Sequence, residues 1–332
     1  IWLHAPSVGE GLQARAVLDA LQRHHPDLQS AYTHFSPSAE GLAGSMPSDV
    51  ATYLPWDIPR VVGGVLDAVA PDLVVFTKTE VWPVLIEESV RRGIPVAMVG
   101  AALPPGAGRT RPLARAFLRP TWERLSALGA ISEADADGFR SLGVPPAAVH
   151  VTGDPGIDSA AQRARSADPD APHLAPFIHD RRPTVVAGST WPADEAVLLP
   201  ALDEVRARVA GLRVILAPHE PAAEHVKELV RRFSDGGWRT ETLGEVEERG
   251  SVANVDAVVV DRVGVLAHLY TVGDVAYVGG GFHDAGLHSV LEPAAARLPV
   301  VFGPKHQNAR AAADLLECEG AEEGAAAGAL AD

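Results

Sequence analysis

Cysteine is almost absent from this 332-residue sequence, in which Cys318 is the single example. One cysteine cannot form an intramolecular disulfide, which excludes a disulfide-bonded scaffold and fits a reducing compartment. Long apolar runs are missing too, and none approaches the roughly 18 uncharged residues that a membrane span needs. With 47% hydrophobic and 21% charged residues, the chain should be globular, and its length favours about two domains.

Positive charge is scarce as well. The sequence has 28 Lys and Arg residues against 43 Asp and Glu residues, a formal net charge of −15. Because nucleic-acid binding requires a dense basic surface, this composition excludes a nucleic-acid partner. An anionic ligand must therefore be held by local cations or by backbone N–H groups. The lone cysteine and the spacing of the histidines also predict no metal site.

Short apolar runs alternate with helical patterns along the whole chain, which is typical of a parallel α/β sheet. Strands are predicted at residues 1–5, 28–33, 49–54, 72–77, 94–100, 125–131, 149–154, 183–190, 212–220, 256–261, 274–282 and 299–304. Helices are predicted to begin near Pro192, Ala222 and Ser289. The pattern predicts an N-terminal Rossmann-like domain over 1–155, a connection over 156–182 and a C-terminal Rossmann-like domain over 183–332. In such doubly wound units the functional loops follow the carboxyl ends of the strands, and units that face each other form a cleft.

The stretch SVGE, residues 7–10, follows the first strand and allows two interpretations of Glu10. Ser followed three residues later by Glu is the capping-box pattern at a helix N-terminus. The same carboxylate is also placed where a general base would act. The stretch FTKTEVWP, residues 76–83, is equally open, since Lys78 and Glu80 could share one side of an extended chain or form a surface ion pair.

Residues 277–304 carry the richest motif, YVGGGFHDAGLHSVLEPAAARLPVVFGP. Gly279 and Gly280 permit close approach to a ligand, and a helix start near Ser289 offers N–H groups to a phosphate. His288 and Glu292 flank that start, and Glu292 could accept hydrogen bonds from a ribose. A tight turn with a dipole partner is the alternative. The G-x-G-x-x-G spacing is not met, so a nicotinamide enzyme is not expected.

Two further strand ends carry polar residues. Ser189 lies in GST, before a helix that begins with Pro192 and two acidic residues, and this is either an ordinary helix start or a phosphate-contacting loop. His219 lies in APHEP at the end of the next strand. A basic amphipathic stretch, with Arg109, Arg111, Arg115, Arg119 and Arg124, either faces an anionic membrane or is solvated, and Pro120 is expected to shorten its helix.

In their order, the motifs HAPSVGE, FTKTEVWP, GST, APHE, YVGGGF, HSVLEPAA and PVVFGP resemble those of the 3-deoxy-D-manno-octulosonic acid (Kdo) transferases of lipopolysaccharide assembly. The resemblance implies a GT-B fold, with two Rossmann-like domains facing across a cleft, and an inverting, metal-independent transferase without a cofactor. It implies CMP-Kdo as the donor and a lipid A precursor as the acceptor. It also implies a membrane-associated protein at the cytoplasmic face of the inner membrane.

The resemblance assigns roles residue by residue. Glu10 corresponds to the family's catalytic base. Lys78 and Glu80 are assigned to positioning of the acceptor or of the donor carboxylate. Donor binding is assigned to the C-terminal loops, at Ser189, His219, Gly279, Gly280, His288, Ser289 and Glu292.

The sequence departs from the family pattern at several points. Ser289 stands where many members carry Asn, and GAALPPG (100–106) replaces an Asn-Ala-Arg segment. Since the chain begins at Ile1 without Met, and lacks both the family's anchor segment and its closing C-terminal helices, we expect it to be part of a longer protein. Two alternatives remain: another GT-B nucleotide-sugar enzyme, such as a UDP-sugar transferase or 2-epimerase, and a nucleotide-sugar binding protein without catalytic activity.

Overall fold

The computed structural model describes residues 1–103 and 106–325. Pro104 and Pro105 of the GAALPPG stretch, and residues 326–332 of the predicted C-terminal domain, lie outside the described residues. The chain forms two compact units, Ile1–Ser159 and Ala160–Asp332. This division falls inside a helix over Pro155–Arg165.

The first unit alternates strands and helices. They are β1 (Trp2–His4), α1 (Val8–His24), β2 (Ala31–His34), α2 (Glu40–Ala43), β3 (Val50–Tyr53), α3 (Pro59–Val69), β4 (Val74–Thr77), α4 (Pro83–Arg91), β5 (Val96–Ala101), α5 (Pro112–Trp122), β6 (Ala127–Ala130), α6 (Glu133–Leu142), β7 (Val149–Val151) and α7 (Pro155–Arg165).

All seven strands of the first unit are parallel, in the order β3-β2-β1-β4-β5-β6-β7. Successive strand side chains point to opposite faces, so Trp2 packs into one apolar cluster with Ile86, and Leu3 into another with Leu18. Helices cover both faces, which is why the strands appear in the sequence as continuous apolar runs. The strand order reverses between β1 and β4, and ligands of doubly wound sheets bind beyond the carboxyl ends of the strands at such a switch point.

The second unit repeats this architecture. Its elements are α8 (Ala175–His179), β8 (Thr184–Thr190), α9 (Pro192–Arg208), β9 (Arg213–Pro218), α10 (Ala223–Asp235), β10 (Thr240–Thr242), α11 (Leu243–Arg249), β11 (Ala257–Val259), α12 (Leu266–Leu269), β12 (Val275–Val278), α13 (Leu291–Ala295), β13 (Val300–Phe302), α14 (Arg310–Glu317) and β14 (Ala321–Glu323). The sheet is again parallel, in the order β10-β11-β9-β8-β12-β13-β14, and its switch point lies between β8 and β12.

All twelve predicted strands are present, and the structure adds β10 and β14. These two have only three residues each, TET and AEE, and form the two edges of the second sheet. They lack an apolar pattern because an edge strand is held by backbone pairing with one neighbour, here β11 and β13.

The helix predicted near Ser289 begins at Leu291 and has only five residues. The prediction that Pro120 shortens the helix of the basic stretch is wrong, because α5 continues through Pro120 to Trp122. Pro120 has no N–H group, but it lies near the end of the helix, so the helix lacks only one backbone hydrogen bond. Within the described residues, no helix combines the length and the apolar character required to cross a bilayer.

Candidate functional site

The switch point of the first sheet brings together Glu10 and Lys78. Glu10 lies in the first turn of α1, directly after β1, and Lys78 follows β4, the strand paired with β1. Lys78 Nζ donates to Glu10 Oε1 at 3.0 Å. The parallel sheet thus unites two side chains that are 68 positions apart in the sequence.

The Glu10 carboxylate does not form the capping box that its spacing allows. In this turn, all of whose residues the structure describes, Ser7 is extended at the N-cap and its side chain accepts no backbone hydrogen bond. The Ser7 hydroxyl donates to Glu10 Oε2 instead. Both carboxylate oxygens are therefore held by side chains, and the Glu10 side chain is only 16% exposed. This arrangement positions the Glu10 carboxylate at the strand ends, and the capping hydrogen bonds between side chain and backbone are not formed.

The surroundings of Glu10 favour its ionised form. Partial burial alone raises the pKa of a carboxyl group, but the hydrogen bond from Ser7 and the charge of Lys78 outweigh it, so the pKa of Glu10 lies below its usual value. The group is consequently a carboxylate at neutral pH. A carboxylate can accept a proton, which is the first requirement of a general base.

Lys78 and Glu80 do not share one side of an extended strand. The chain turns at Lys78, where φ is +68°, so the alternation on which that prediction rested does not apply. Lys78 contacts Glu10, whereas burial and the nearby Glu10 charge raise the pKa of Glu80. The positive φ of Lys78 is a strained conformation that surrounding contacts must maintain.

Arg109 belongs to this site, although the sequence indicated only that it lies in a basic stretch. Its guanidinium donates to the carbonyl oxygen of Thr79 and interacts with the Glu80 charge. Burial lowers the pKa of Arg109. Arg109 contacts the loop after β4 only in the tertiary structure, so no local sequence pattern could predict this contact.

The switch point of the second sheet joins the GST loop to the glycine loop. Ser189 is the penultimate residue of β8 and has φ of +55°, and Gly279 follows β12, the strand paired with β8. A Cβ atom on Gly279 would lie 2.2 Å from the Ser189 carbonyl oxygen, so only glycine fits there. Gly280 adopts φ of +95°, where glycine is also required.

Asp194 holds these two loops together, a role that the sequence did not reveal. Its buried carboxylate accepts hydrogen bonds from the backbone N–H groups of Trp191 at 2.9 Å, Gly280 at 2.8 Å and Phe282 at 3.1 Å. The Tyr277 hydroxyl donates to it at 3.2 Å. Asp194 therefore occupies the Gly280 N–H, and a Cβ atom on Gly280 would lie 2.2 Å from the Gly286 carbonyl oxygen, so this glycine is required by the packing of its own loop. The three-residue spacing from Trp191, which is a capping-box spacing, was the one available signal.

An aromatic stack surrounds Trp191 in the same place. The indole lies between His283, with ring centroids 4.2 Å apart, and His219, at 4.5 Å. His219 lies 4.4 Å from His288, and the Trp191 indole N–H donates to Nε2 of His288 at 3.0 Å. Burial and the neighbouring His219 lower the pKa of His288, which keeps it neutral. A neutral His288 whose Nε2 accepts carries its proton on Nδ1.

Ser289 and Glu292 follow this stack. Ser289 is exposed, and its hydroxyl accepts from the Leu291 N–H at 3.3 Å. Arg163, in the part of α7 that belongs to the second unit, forms an ion pair with Glu292 Oε1, which fixes the direction of the carboxylate. The sequence placed Arg163 in the connection and gave it no role.

The predicted site residues therefore form two sets. Glu10 and Lys78 lie in direct contact in the first unit, with Glu80 close to them. Ser189, His219, Gly279, Gly280 and His288 converge in the second unit. Over the described ranges, no cluster of three or more His, Cys, Asp or Glu side chains is arranged to hold a metal ion.

Comparison with known proteins gives a consistent result. Residues 1–159 match the family model described as 3-deoxy-D-manno-octulosonic-acid transferase (kdotransferase). The 3-deoxy-D-manno-octulosonic acid transferase of Haemophilus influenzae is 27% identical over 308 residues, which is 92% of this chain and 70% of that protein. The corresponding protein of Chlamydophila psittaci is 28% identical over 327 residues, covering 96% of this chain and 73% of its own length.

A solved structure shows the same fold. The UDP-GlcNAc 2-epimerase of Methanocaldococcus jannaschii superposes with a TM-score of 0.68 at 15% identity, covering 99% of this chain and 90% of its own. Two Rossmann-like sheets with polar residues at both switch points, together with these relatives, define a GT-B glycosyltransferase. Within that class, the match over residues 1–159 and the relatives at 27% and 28% identity support the 3-deoxy-D-manno-octulosonic acid transferase family.

Proposed function

We propose that this protein transfers Kdo from CMP-Kdo to a lipid A precursor in lipopolysaccharide biosynthesis, by an inverting reaction without a metal ion. The observation that carries the proposal is the ionised Glu10 carboxylate, held by Ser7 and Lys78 at the switch point of the unit that matches the family model. The first unit supplies the acceptor chemistry. The second unit binds the donor.

Glu10 is the general base of the proposed reaction. An acceptor hydroxyl oxygen forms a bond to the anomeric carbon of Kdo while the bond from that carbon to the CMP phosphate oxygen breaks. The hydroxyl proton passes to Glu10, and the electron pair of the broken bond leaves with CMP. Attack opposite to the leaving group inverts the anomeric configuration, and a positioned base typically contributes about 10²- to 10⁴-fold to such a step.

Lys78 controls how strongly Glu10 attracts a proton. In the free protein its ammonium lies 3.0 Å from Glu10 Oε1 and lowers the carboxyl pKa. If Lys78 turns to an anionic group of a substrate, such as the Kdo carboxylate, Glu10 loses that stabilisation and its pKa rises. Substrate binding would thus strengthen the base where it is needed.

The donor half of the proposal rests on the second unit. The neutral His288 is expected to donate from Nδ1, and the Ser189 and Ser289 N–H groups are proposed to stabilise the departing phosphate. The Glu292 carboxylate, already oriented by Arg163, is proposed to accept a hydrogen bond from a ribose hydroxyl. These contacts would explain how a protein with a net charge of −15 binds an anionic nucleotide.

Product analysis and nucleotide titration test the whole proposal. Incubation of the protein with CMP-Kdo and lipid A precursor should give a product heavier by one or more Kdo residues in mass spectrometry. CMP should raise the melting temperature more than UDP, because only a recognised ligand stabilises the native state. A UDP preference would favour the epimerase-like alternative, and CMP binding without turnover would indicate a binding protein.

We also propose that the protein acts at the cytoplasmic face of the inner membrane through α5. Leu113 and Phe117, one helical turn apart, are 87% and 80% exposed. Arg115 and Arg119 lie on the same short helix, and Arg111 is its N-cap residue. Exposed apolar side chains among arginines favour the interface of an anionic bilayer.

Substitution of both apolar side chains should weaken this membrane contact. We expect Leu113→Ser with Phe117→Ser to lower the partition coefficient on phosphatidylglycerol-containing vesicles about tenfold or more. The reason is that the double variant lacks the two apolar side chains that the bilayer would bury. Sedimentation of the protein with vesicles measures the effect. Val263→Ser is the matched control, since Val263 is 75% exposed and lies in the other unit. Equal binding of the double variant and this control would contradict the assignment of α5.

A further inference from the structure

A second concave site lies at the amino-terminal edge of the second sheet, opposite the edge that carries Ser189 and Gly279. Its cavity of about 410 Å³ is lined by residues that directly precede β8, β9, β10 and β11, among them Arg182, Gly211, Arg239 and Asp256. The seven-residue β8 separates the two edges by about 20 Å. The cavity is therefore distinct from the proposed donor site of the same unit.

Positive charge is in excess in this cavity. Arg239 binds Asp256 with both arms, Nε to Oδ2 and Nη2 to Oδ1, each at 2.7 Å. Arg182 reaches the same carboxylate only at 3.3 Å, and Arg206 only at 3.9 Å. Three guanidinium groups against one carboxylate leave two uncompensated positive charges.

The spare charges come with spare hydrogen-bond donors. Nε and Nη2 of Arg182 are buried, and neither finds a hydrogen-bond partner in the described part of the chain. Arg206 is held in place by the Gly237 carbonyl oxygen at 3.0 Å and by the Trp238 ring, 4.5 Å below its guanidinium. Burial and the charge of Arg182 lower the pKa of Arg213 to about 10, which reflects the same crowding of cations.

We propose that this arginine pocket binds the phosphate group of a soluble phosphorylated ligand. Guanidinium forks match the oxygens of a phosphate, and a phosphate dianion supplies the two negative charges that Asp256 does not. A cavity of about 410 Å³ equals the volume of roughly a dozen liquid water molecules, so it admits an organic part beside the phosphate. The site does not depend on the proposed Kdo transfer, because the donor residues lie at the other edge of the sheet.

Titration of the whole chain with inorganic phosphate tests this pocket, with sodium chloride at matched ionic strength as the reference. Phosphate should raise the melting temperature of the wild type more than chloride does. Arg206→Gln should weaken phosphate binding about tenfold or more in calorimetry, and Arg206→Lys should lie in between, because it keeps the charge and loses the fork. Arg231→Gln is the control, as Arg231 pairs with Glu228 and Asp235 on the exposed face of α10.

Two results would overturn the proposal. One is a wild type that phosphate stabilises no more than chloride does. The other is unchanged phosphate affinity in Arg206→Gln, which would place any bound phosphate elsewhere. Circular dichroism of each variant, together with CMP affinity where CMP binds, separates loss of this pocket from loss of the fold. If the protein does not transfer Kdo, the comparison of phosphate affinity between wild type and Arg206→Gln still tests this pocket.

Discussion

Replacement of Glu10 with glutamine is expected to lower kcat for Kdo transfer by about 10²- to 10⁴-fold, with KM for the donor changed by no more than about twofold. Glutamine keeps the size of the side chain and can still accept a hydrogen bond from Lys78. It cannot take up the acceptor proton at neutral pH. Because the loss arises in the transition state, a steady-state assay with varied CMP-Kdo should show it in kcat.

The matched control for this substitution is Glu87→Gln. Glu87 is an exposed glutamate on α4 of the same unit, so the change in charge is the same while the switch point is untouched. It should retain wild-type kcat. Transfer at a near wild-type rate by Glu10→Gln would remove Glu10 from the mechanism and leave it the role of holding Ser7 and Lys78.

Replacement of Asp194 with alanine should destabilise the second unit by about 3 to 5 kcal/mol and abolish CMP binding at ordinary concentrations. The substitution leaves three backbone N–H groups and the Tyr277 hydroxyl without their acceptor in a buried place. With that clamp lost, the glycine loop is no longer fixed against Trp191. Urea denaturation measures the free energy of unfolding, and calorimetry measures CMP affinity.

Asp235→Ala is the control for this loss. Asp235 pairs with Arg231 at the exposed end of α10, so its removal should change the free energy of unfolding by about 0.5 kcal/mol or less. Asp194→Asn should fall between the two, because the amide retains one acceptor oxygen. If Asp194→Ala were as stable as the Asp235 control, the clamp would be unimportant to the fold.

Much of the fold could be predicted because the strands are buried on both faces. The stretches LVVF, at 73–76, and VILAP, at 214–218, are uninterrupted apolar runs, and the helical patterns between such runs require parallel pairing. The carboxyl ends of those runs are also visible, so the polar residues that follow them could be named as site candidates. Edge strands such as β10 were missed since their backbone pairs with one neighbour and needs no apolar side chains.

The site was predictable as a set of positions, whereas its contacts were not. The Ser7 and Glu10 spacing is the same for a helix cap and for a side-chain pair. The structure contains the side-chain pair, in which Glu10 also accepts a hydrogen bond from Lys78, 68 positions away. Likewise, the sequence showed Asp194 only as one of two acidic residues at the start of α9, yet Asp194 binds Gly280, 86 positions further on.

The sequence by itself determined the two parallel sheets, the resemblance to a transferase family and the strand ends at which chemistry can occur, because apolar runs and motif order are local properties of the chain. Only the tertiary structure decided that Glu10 is held by Ser7 and Lys78, that Asp194 clamps the glycine loop, and that three arginines share Asp256. Those partners meet because neighbouring strands of a parallel sheet are separated in sequence by whole helices, so no local pattern records which side chains their ends bring into contact.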